Sequence, residues 1–209
     1  MSASPFTATF LLTSAALAIA PGPDIIYVLA KGISQGRRPA LIAAAGFCSG
    51  LSIHTAASAC GLSALLVASA TGFTVVKLLG AAYLIYLGAR AIFSRGLISL
   101  PENHIALSGR KIFAQAFLMN VLNPKVALFF LAFLPQFVRT EQGAIPQQLI
   151  LLGIGFGVTS FAVFSLVGIF SDALGQQVRS RPTITRLFDR VAGTVFILLG
   201  LRLAAFSQR

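Results

Sequence analysis

Ala20-Pro21-Gly22-Pro23-Asp24 interrupts an apolar run that starts at Phe6 and resumes as Ile25-Ile26-Tyr27-Val28-Leu29-Ala30. Two prolines and a glycine within five residues remove backbone donors and stop a helical ladder. Asp24 sits at that break, and no other charged side chain occurs from Met1 to Ala30. In lipid, a freed carbonyl or a carboxylate is costly unless it faces protein or water. Such a break is tolerated where it lines a cavity. A second stretch, Asn123-Pro124-Lys125, interrupts another apolar run in the same way. Together the two stretches predict a transport site between two broken membrane helices.

Composition supports a membrane fold. Of 209 residues, 56% are hydrophobic and 10% charged, with mean hydropathy +0.88. A soluble domain carries about 25% charged residues, so this chain cannot cover a water-facing surface. Residues 40–76 and 142–171 hold no Asp, Glu, Lys or Arg. One span needs about 20 such residues. The first 20 residues mimic a signal peptide, since Ala18-Ile19-Ala20 resembles a cleavage site. They lack a basic leading region, and Pro21 would follow the cut, so the segment is expected to remain as the first span.

Six spans are expected, at about 6–30, 39–68, 73–93, 112–138, 147–170 and from 184 or 191 to 206. The first is broken at 21–24, the fourth carries Lys125 at its midpoint, and a turn is expected at 69–72. The net charge of +11 does not indicate nucleic acid, because the bases sit in short connections rather than on one face. Connections after spans one, three and five hold 11 Lys and Arg, Lys31, Arg37 and Arg38 among them; the other side holds 3. That bias puts the odd-numbered connections in the cytoplasm and both termini outside.

The two halves resemble each other. Gln35-Gly36, Pro39, Gly46 and Gly50 recur at the same spacing as Gln142-Gly143, Pro146, Gly153 and Gly157. Ile85 to Arg90 recurs as Ile197 to Arg202, and Pro23-Asp24 corresponds to Pro124-Lys125. Three spans per half is an odd number, so the second half enters the membrane upside down. The expected fold is therefore an all-α polytopic membrane protein of six transmembrane helices, as two inverted three-helix repeats with helices 1 and 4 broken. It forms one transporter domain over 1–209. Repeat 1 covers about 5–95, repeat 2 about 111–206, with a cytoplasmic loop at about 95–111. Inverted repeats with broken helices place the binding site where the breaks meet.

Individual residues carry more than one reading. Asp24 suits the N-terminus of the helix that restarts after it; an acid there can also hold an ammonium group or a proton. Lys125 lies about 20 Å from either end of its span at 1.5 Å per residue, too far to reach the surface. It must face a partner, a carboxylate ligand or water. Lys77 lies near a span end and is expected to snorkel. Asn123, held out of the α region by Pro124, either bridges carbonyls freed by the proline or touches substrate. His54 is a packing histidine or a proton relay. Gly46, Gly50, Gly153 and Gly157 allow close helix packing or act as hinges. Cys48 and Cys60 are about 18 Å apart on one helix, beyond disulfide reach. His54 and His104 have no ligand spacing around them, so no metal site is expected.

Pro21-Gly22-Pro23-Asp24, Gly46-Phe47-x-x-Gly50, the run Lys77-Leu78-Leu79-Gly80-Ala81-Ala82-Tyr83-Leu84-Ile85-Tyr86-Leu87-Gly88, and Asn123-Pro124-Lys125-x-Ala127-x-Phe129-Phe130 followed by Leu134-Pro135-Gln136-Phe137 occur in this order. The chain resembles the LysE/RhtB family of amino-acid and homoserine exporters over nearly its whole length. The resemblance implies a bacterial inner-membrane protein that expels amino acids or their derivatives against a proton gradient. It implies a central site of Pro21, Gly22, Pro23, Asp24, Asn123, Pro124 and Lys125. No catalytic residue and no cofactor are expected. It leaves the substrate open, because members differ.

The expected partners are a small amino acid or derivative, protons, the lipid bilayer and a second copy of the chain. A cation or metal transporter is the competing reading, disfavoured by a single acid opposite a lysine. A membrane thiol-redox protein of a related fold would want one cysteine in each half; both lie in the second span. A structural subunit would leave both breaks and their charges unexplained.

Overall fold

A computed structural model describes residues 5–20, 22–62, 70–93, 107–139, 144–171, 173 and 182–205, and every element among them is a helix. The expected break in the first span is present. Helix α1 (Pro5–Ile19) and helix α2 (Pro23–Gln35) meet at 60°. The connection expected to begin at Lys31 is shorter than the charges suggest. Lys31 is buried on α2, and Gly36 alone separates α2 from α3 (Arg37–Ala57). Gly36 has φ +89°, a conformation open to glycine and strained for other residues, and this lets the chain turn within one residue. Lys31 therefore does not act as a connection charge; its ammonium lies 5.3 Å from the Tyr27 ring centroid.

Helix α3 ends in one π turn, Ser58–Leu62. The expected turn at 69–72 is not a turn over its described part, because α4 (Ala70–Phe93) already begins there. A lone Gly72 weakens a helix without stopping it. The loop expected at about 95–111 lies outside the described residues up to 106, as do His104, Gln142 and Gly143. Helix α5 (Gly109–Val121) is followed by the second break, and α6 (Pro124–Leu128) leaves it at 47°. The chain then winds as a π turn over Phe129–Phe133 and a 3-10 turn over Leu134–Phe137. Pro135 offers no N–H to the ladder, so regular α winding cannot run through it. Helices α7 (Ile145–Ile169) and α8 (Pro182–Ala205) follow.

Among the described residues two helical stretches, Arg37–Gly61 and Ile145–Ile169, are long and apolar enough to cross a bilayer, and four are when each bent pair is one span. Their outer faces carry bare apolar side chains such as Leu122, Leu151 and Val158, as lipid contact requires. Along α7 the inner stripe is Leu149, Gly153, Phe156, Ser160, Phe164 and Gly168, at helical spacing. Lipid supplies no hydrophobic drive between helices, so small residues decide their approach. Gly46 and Gly50 of α3 meet Phe113, Ala116, Phe117 and Asn120 of α5, which makes those helices parallel. Gly153 and Gly168 of α7 meet Thr55 and Ala40 of α3, an antiparallel pairing. In the antiparallel pair α4–α8, Gly88 and Gly193 lie against each other's backbone, and Gly200 lies against Ala81 and Ile85.

The buried apolar residues form two clusters. One gathers Phe10, Leu17, Leu51, the aromatics of 129–137, Phe156 and Leu203. The other gathers Ala18, Val28, Ala43, Phe47, Ile112 and Phe164. The two breaks lie at the seam between them.

Candidate functional site

Each break restarts a helix with the same short grammar. Gly22 precedes Pro23 at the first turn of α2, and Asp24 follows. Asn123 precedes Pro124 at the first turn of α6, and Lys125 follows. Proline suits that position because its missing N–H would be unpaired anyway. Both ions are therefore held within the first turn of a new helix, at 3% and 7% exposure. Pro21 lies outside the described residues.

Asn123 joins Asp24 to the backbone of Lys125. Its Nδ2 donates to Asp24 Oδ1 at 2.8 Å, and its Oδ1 accepts from the Lys125 backbone N–H at 3.0 Å. Both bonds fix one orientation of the carboxamide, since a flip would lose donor and acceptor together. The reading of Asn123 as a bridge to carbonyls freed by Pro124 gives way to this: it bonds a carboxylate and an N–H. Lys125 Nζ donates to the Ala20 carbonyl at 3.4 Å. That carbonyl lies past the end of α1, where the helix dipole is negative and the prolines offer no N–H. A Cβ added at Gly22 would sit 2.8 Å from Lys125 Nζ. Gly22 has extended backbone that any residue adopts, so its place is set by room for the lysine rather than by its φ.

Asp24 and Lys125 line one small void with Leu17, Ala18, Leu51, Asn120, Val126, Phe156, Ser160 and Phe164. Its lining draws on both apolar clusters, so it sits at their seam. Its volume is about 10 Å³, room for about one water. An amino acid does not fit, and this conformation is closed around the two ions.

His54 does not line the void. Its Nε2 contacts the Asn120 carbonyl at 3.1 Å; a carbonyl only accepts, so Nε2 carries the proton. Asn120 O also accepts from Asn123 N at 2.9 Å. The imidazole thus completes the last turn of α5 before the break. Of the four glycines, Gly46, Gly50 and Gly153 have no room for a Cβ, whereas one at Gly157 meets only Leu51 Cδ1, at 3.9 Å.

Two residues were missed by reading the sequence alone: Asn120 and Ser160. Both line the void, and both are 1% exposed. A signal for each was present. Asn120 continues the inner stripe of Ile112 and Ala116 at four-residue steps, and Ser160 lies two turns beyond Gly153 on the same face of α7.

A family model described as LysE type translocator matches residues 15–207. A homoserine/homoserine lactone efflux protein of Salmonella typhimurium is 33% identical over 94% of this chain and 94% of its own length. An uncharacterised membrane protein of Vibrio cholerae is 32% identical over 93% and 94%, and one of Bacillus subtilis is 28% identical over 92% and 95%. No solved structure matches the chain.

Proposed function

The chain belongs to the LysE-type translocators, and from that footing we propose that it is a secondary exporter of amino acids or amino-acid derivatives. It works from the cytoplasm across the bacterial inner membrane, in exchange for protons. The observation that carries the reading is the buried chain Asp24–Asn123–Lys125, which ties two helix breaks together beside a void. An amino-acid zwitterion presents an ammonium and a carboxylate. Asp24 receives the ammonium, and Lys125 receives the carboxylate. The homoserine and lactone named for the Salmonella relative belong to this class of small, amino-bearing compounds.

Transport requires the void to open to each side in turn. The seam between the two apolar clusters is the plane along which it opens, because the lining is shared between them. Six spans in two inverted repeats supply the halves that rock. The antiparallel pairs support this reading: Gly88 on Gly193 mirrors Gly200 on Ala81 in the repeat register. Bases concentrated in the odd-numbered connections support a cytoplasmic side for those connections. A proton taken by Asp24 as the ammonium leaves couples export to the membrane potential, worth about 2.3 kcal/mol per charge per 100 mV.

The test is uptake of a panel of labelled amino acids into inside-out vesicles with an imposed pH gradient, acidic within. Accumulation that collapses with an uncoupler, and that an inserted, folded Asp24→Asn variant lacks, is the expected result. Full transport by that variant refutes the assignment of Asp24. Accumulation indifferent to the gradient refutes proton exchange.

A further inference from the structure

We infer that Asn120 and Ser160 form a polar subsite that reads the side chain of the transported compound and selects an uncharged group bearing a hydroxyl. The inference rests on the exporter reading and adds a specificity site to it. Asn120 Oδ1 and Ser160 Oγ are both buried with no hydrogen-bond partner. A buried polar atom left unpaired costs about 1–3 kcal/mol. Both residues line the void, and Asn120 Oδ1 also packs against Gly50 of α3; in another state the two atoms find a partner.

Ser160 is set apart from most helix hydroxyls in this molecule. Ser34, Ser49, Thr55, Thr159 and Thr194 each donate to the carbonyl four residues back. Ser160 does not. Ser14, Ser58 and Ser165 also lack partners, but Ser160 is the one of these four that lines the void.

The remaining groups around the void divide the work. Asp24 and Lys125 carry charges suited to an ammonium and a carboxylate. Leu17, Leu51, Val126, Phe156 and Phe164 are apolar. A charged side chain would be desolvated against these walls with no ion left to pair it. A hydroxyl meets no such penalty: it donates to Asn120 Oδ1 and accepts from the Ser160 hydroxyl. A methyl in its place leaves both atoms unpaired, and a site built to bond a hydroxyl discriminates against the analogue lacking it.

The experiment compares pairs that differ by a hydroxyl for a methyl: homoserine with norvaline, and threonine with valine. Uptake of each is measured in proteoliposomes of the full chain and of its Ser160→Ala and Asn120→Leu variants. The wild type is expected to prefer the hydroxylated member. Each variant is expected to cut that preference by about tenfold, the worth of one hydrogen bond, mainly by slowing the hydroxylated member, with the apolar member retained. Equal slowing of both members, or an unchanged ratio, overturns the subsite. A wild type that carries both members equally overturns it while leaving the exporter reading intact. A wild type that carries neither pair, nor any amino acid of the wider panel, overturns the exporter reading and the subsite with it. Ser160→Ala removes a single oxygen, so it keeps the test open should Asn120→Leu fail to fold.

Discussion

At Gly22-Pro23-Asp24 and at Asn123-Pro124-Lys125 a helix restarts in the same way, with a capping position, a proline and then an ion. The ions differ in how their own helix receives them. A carboxylate in the first turn of α2 is favoured by the helix dipole, and an ammonium in the first turn of α6 is opposed by it. The caps differ accordingly. Asn123 caps α6 with its own side chain. Gly22 caps α2 with none, and the space a side chain would take lies against Lys125. The lysine end is thus held by contacts borrowed from the other break: the Ala20 carbonyl, the room at Gly22 and the nearby carboxylate. Each break thus leans on the other, Lys125 on the Ala20 carbonyl and Asp24 on the Asn123 amide, which is a physical basis for a site that changes state when an ion is neutralised.

The largest effect is expected from the ions. Asp24→Asn and Lys125→Met should each lower transport about a hundredfold, the worth of a hydrogen bond to a charged group, in protein that still inserts and elutes as one species. The double exchange Asp24→Lys with Lys125→Asp should be no better than either single change. Asn123 Nδ2 must donate to residue 24, and an ammonium cannot accept. Recovery of transport in the exchanged protein would show that the two charges act as a direct pair and would end the account of Asn123 as their link.

Asn123 comes next. Asn123→Ala removes the α6 cap and leaves Asp24 without its amide donor. The cap alone is worth about 1 kcal/mol, and the stranded carboxylate adds to it. The thermal midpoint in detergent should fall by several degrees. Asn123→Asp keeps an acceptor for the Lys125 N–H but sets a second carboxylate against Asp24, so it should restore the cap and not transport. Equal recovery of both would mean that Asn123 matters only as a cap.

Much of this site was legible before any coordinates. Proline beside an ion inside an apolar run is a local signal, and it located both breaks and both charges. What joins them was not legible, because Asn123 Nδ2 and Asp24 are 99 residues apart in sequence and no spacing rule spans that distance. His54 offered two readings, and only its contact with the Asn120 carbonyl ties it to the turn before the break. Ser160 was overlooked because a serine in a membrane helix ordinarily bonds its own backbone, and its exemption is visible only in three dimensions. Lys31 was misplaced for a related reason: a base near a span end reads as a connection charge, and nothing local shows that Gly36 lets the helix run on past it.

Gly22→Ala tests the dependence of the lysine end more gently. The added methyl meets the flexible tip of Lys125, so the side chain moves and its bond to the Ala20 carbonyl weakens. A threefold to tenfold loss of transport is expected, about the worth of one neutral hydrogen bond, with little change in stability. The methyl should have no further effect in a Lys125→Met background, because residues in contact are non-additive. Additive losses would place the role of Gly22 in the helix bend instead.

The smallest effect on transport belongs to the packing glycines, and it separates the two halves. Gly46 and Gly50 of α3 let α5 approach just ahead of the lysine break. Their sequence counterparts on α7, Gly153 and Gly157, face α3 instead, and unequally. A Cβ at Gly153 collides with Thr55, whereas one at Gly157 makes ordinary contact with Leu51. Gly153→Ala should therefore cost about 1–3 kcal/mol and Gly157→Ala stay within about 0.5 kcal/mol of the parent, read as thermal midpoints in detergent. Transport should follow the same order if α3 and α7 move together. A Gly157→Ala variant that keeps its stability and loses transport would mean that this contact closes further in another conformation, and would make α3–α7 a moving interface rather than a fixed one.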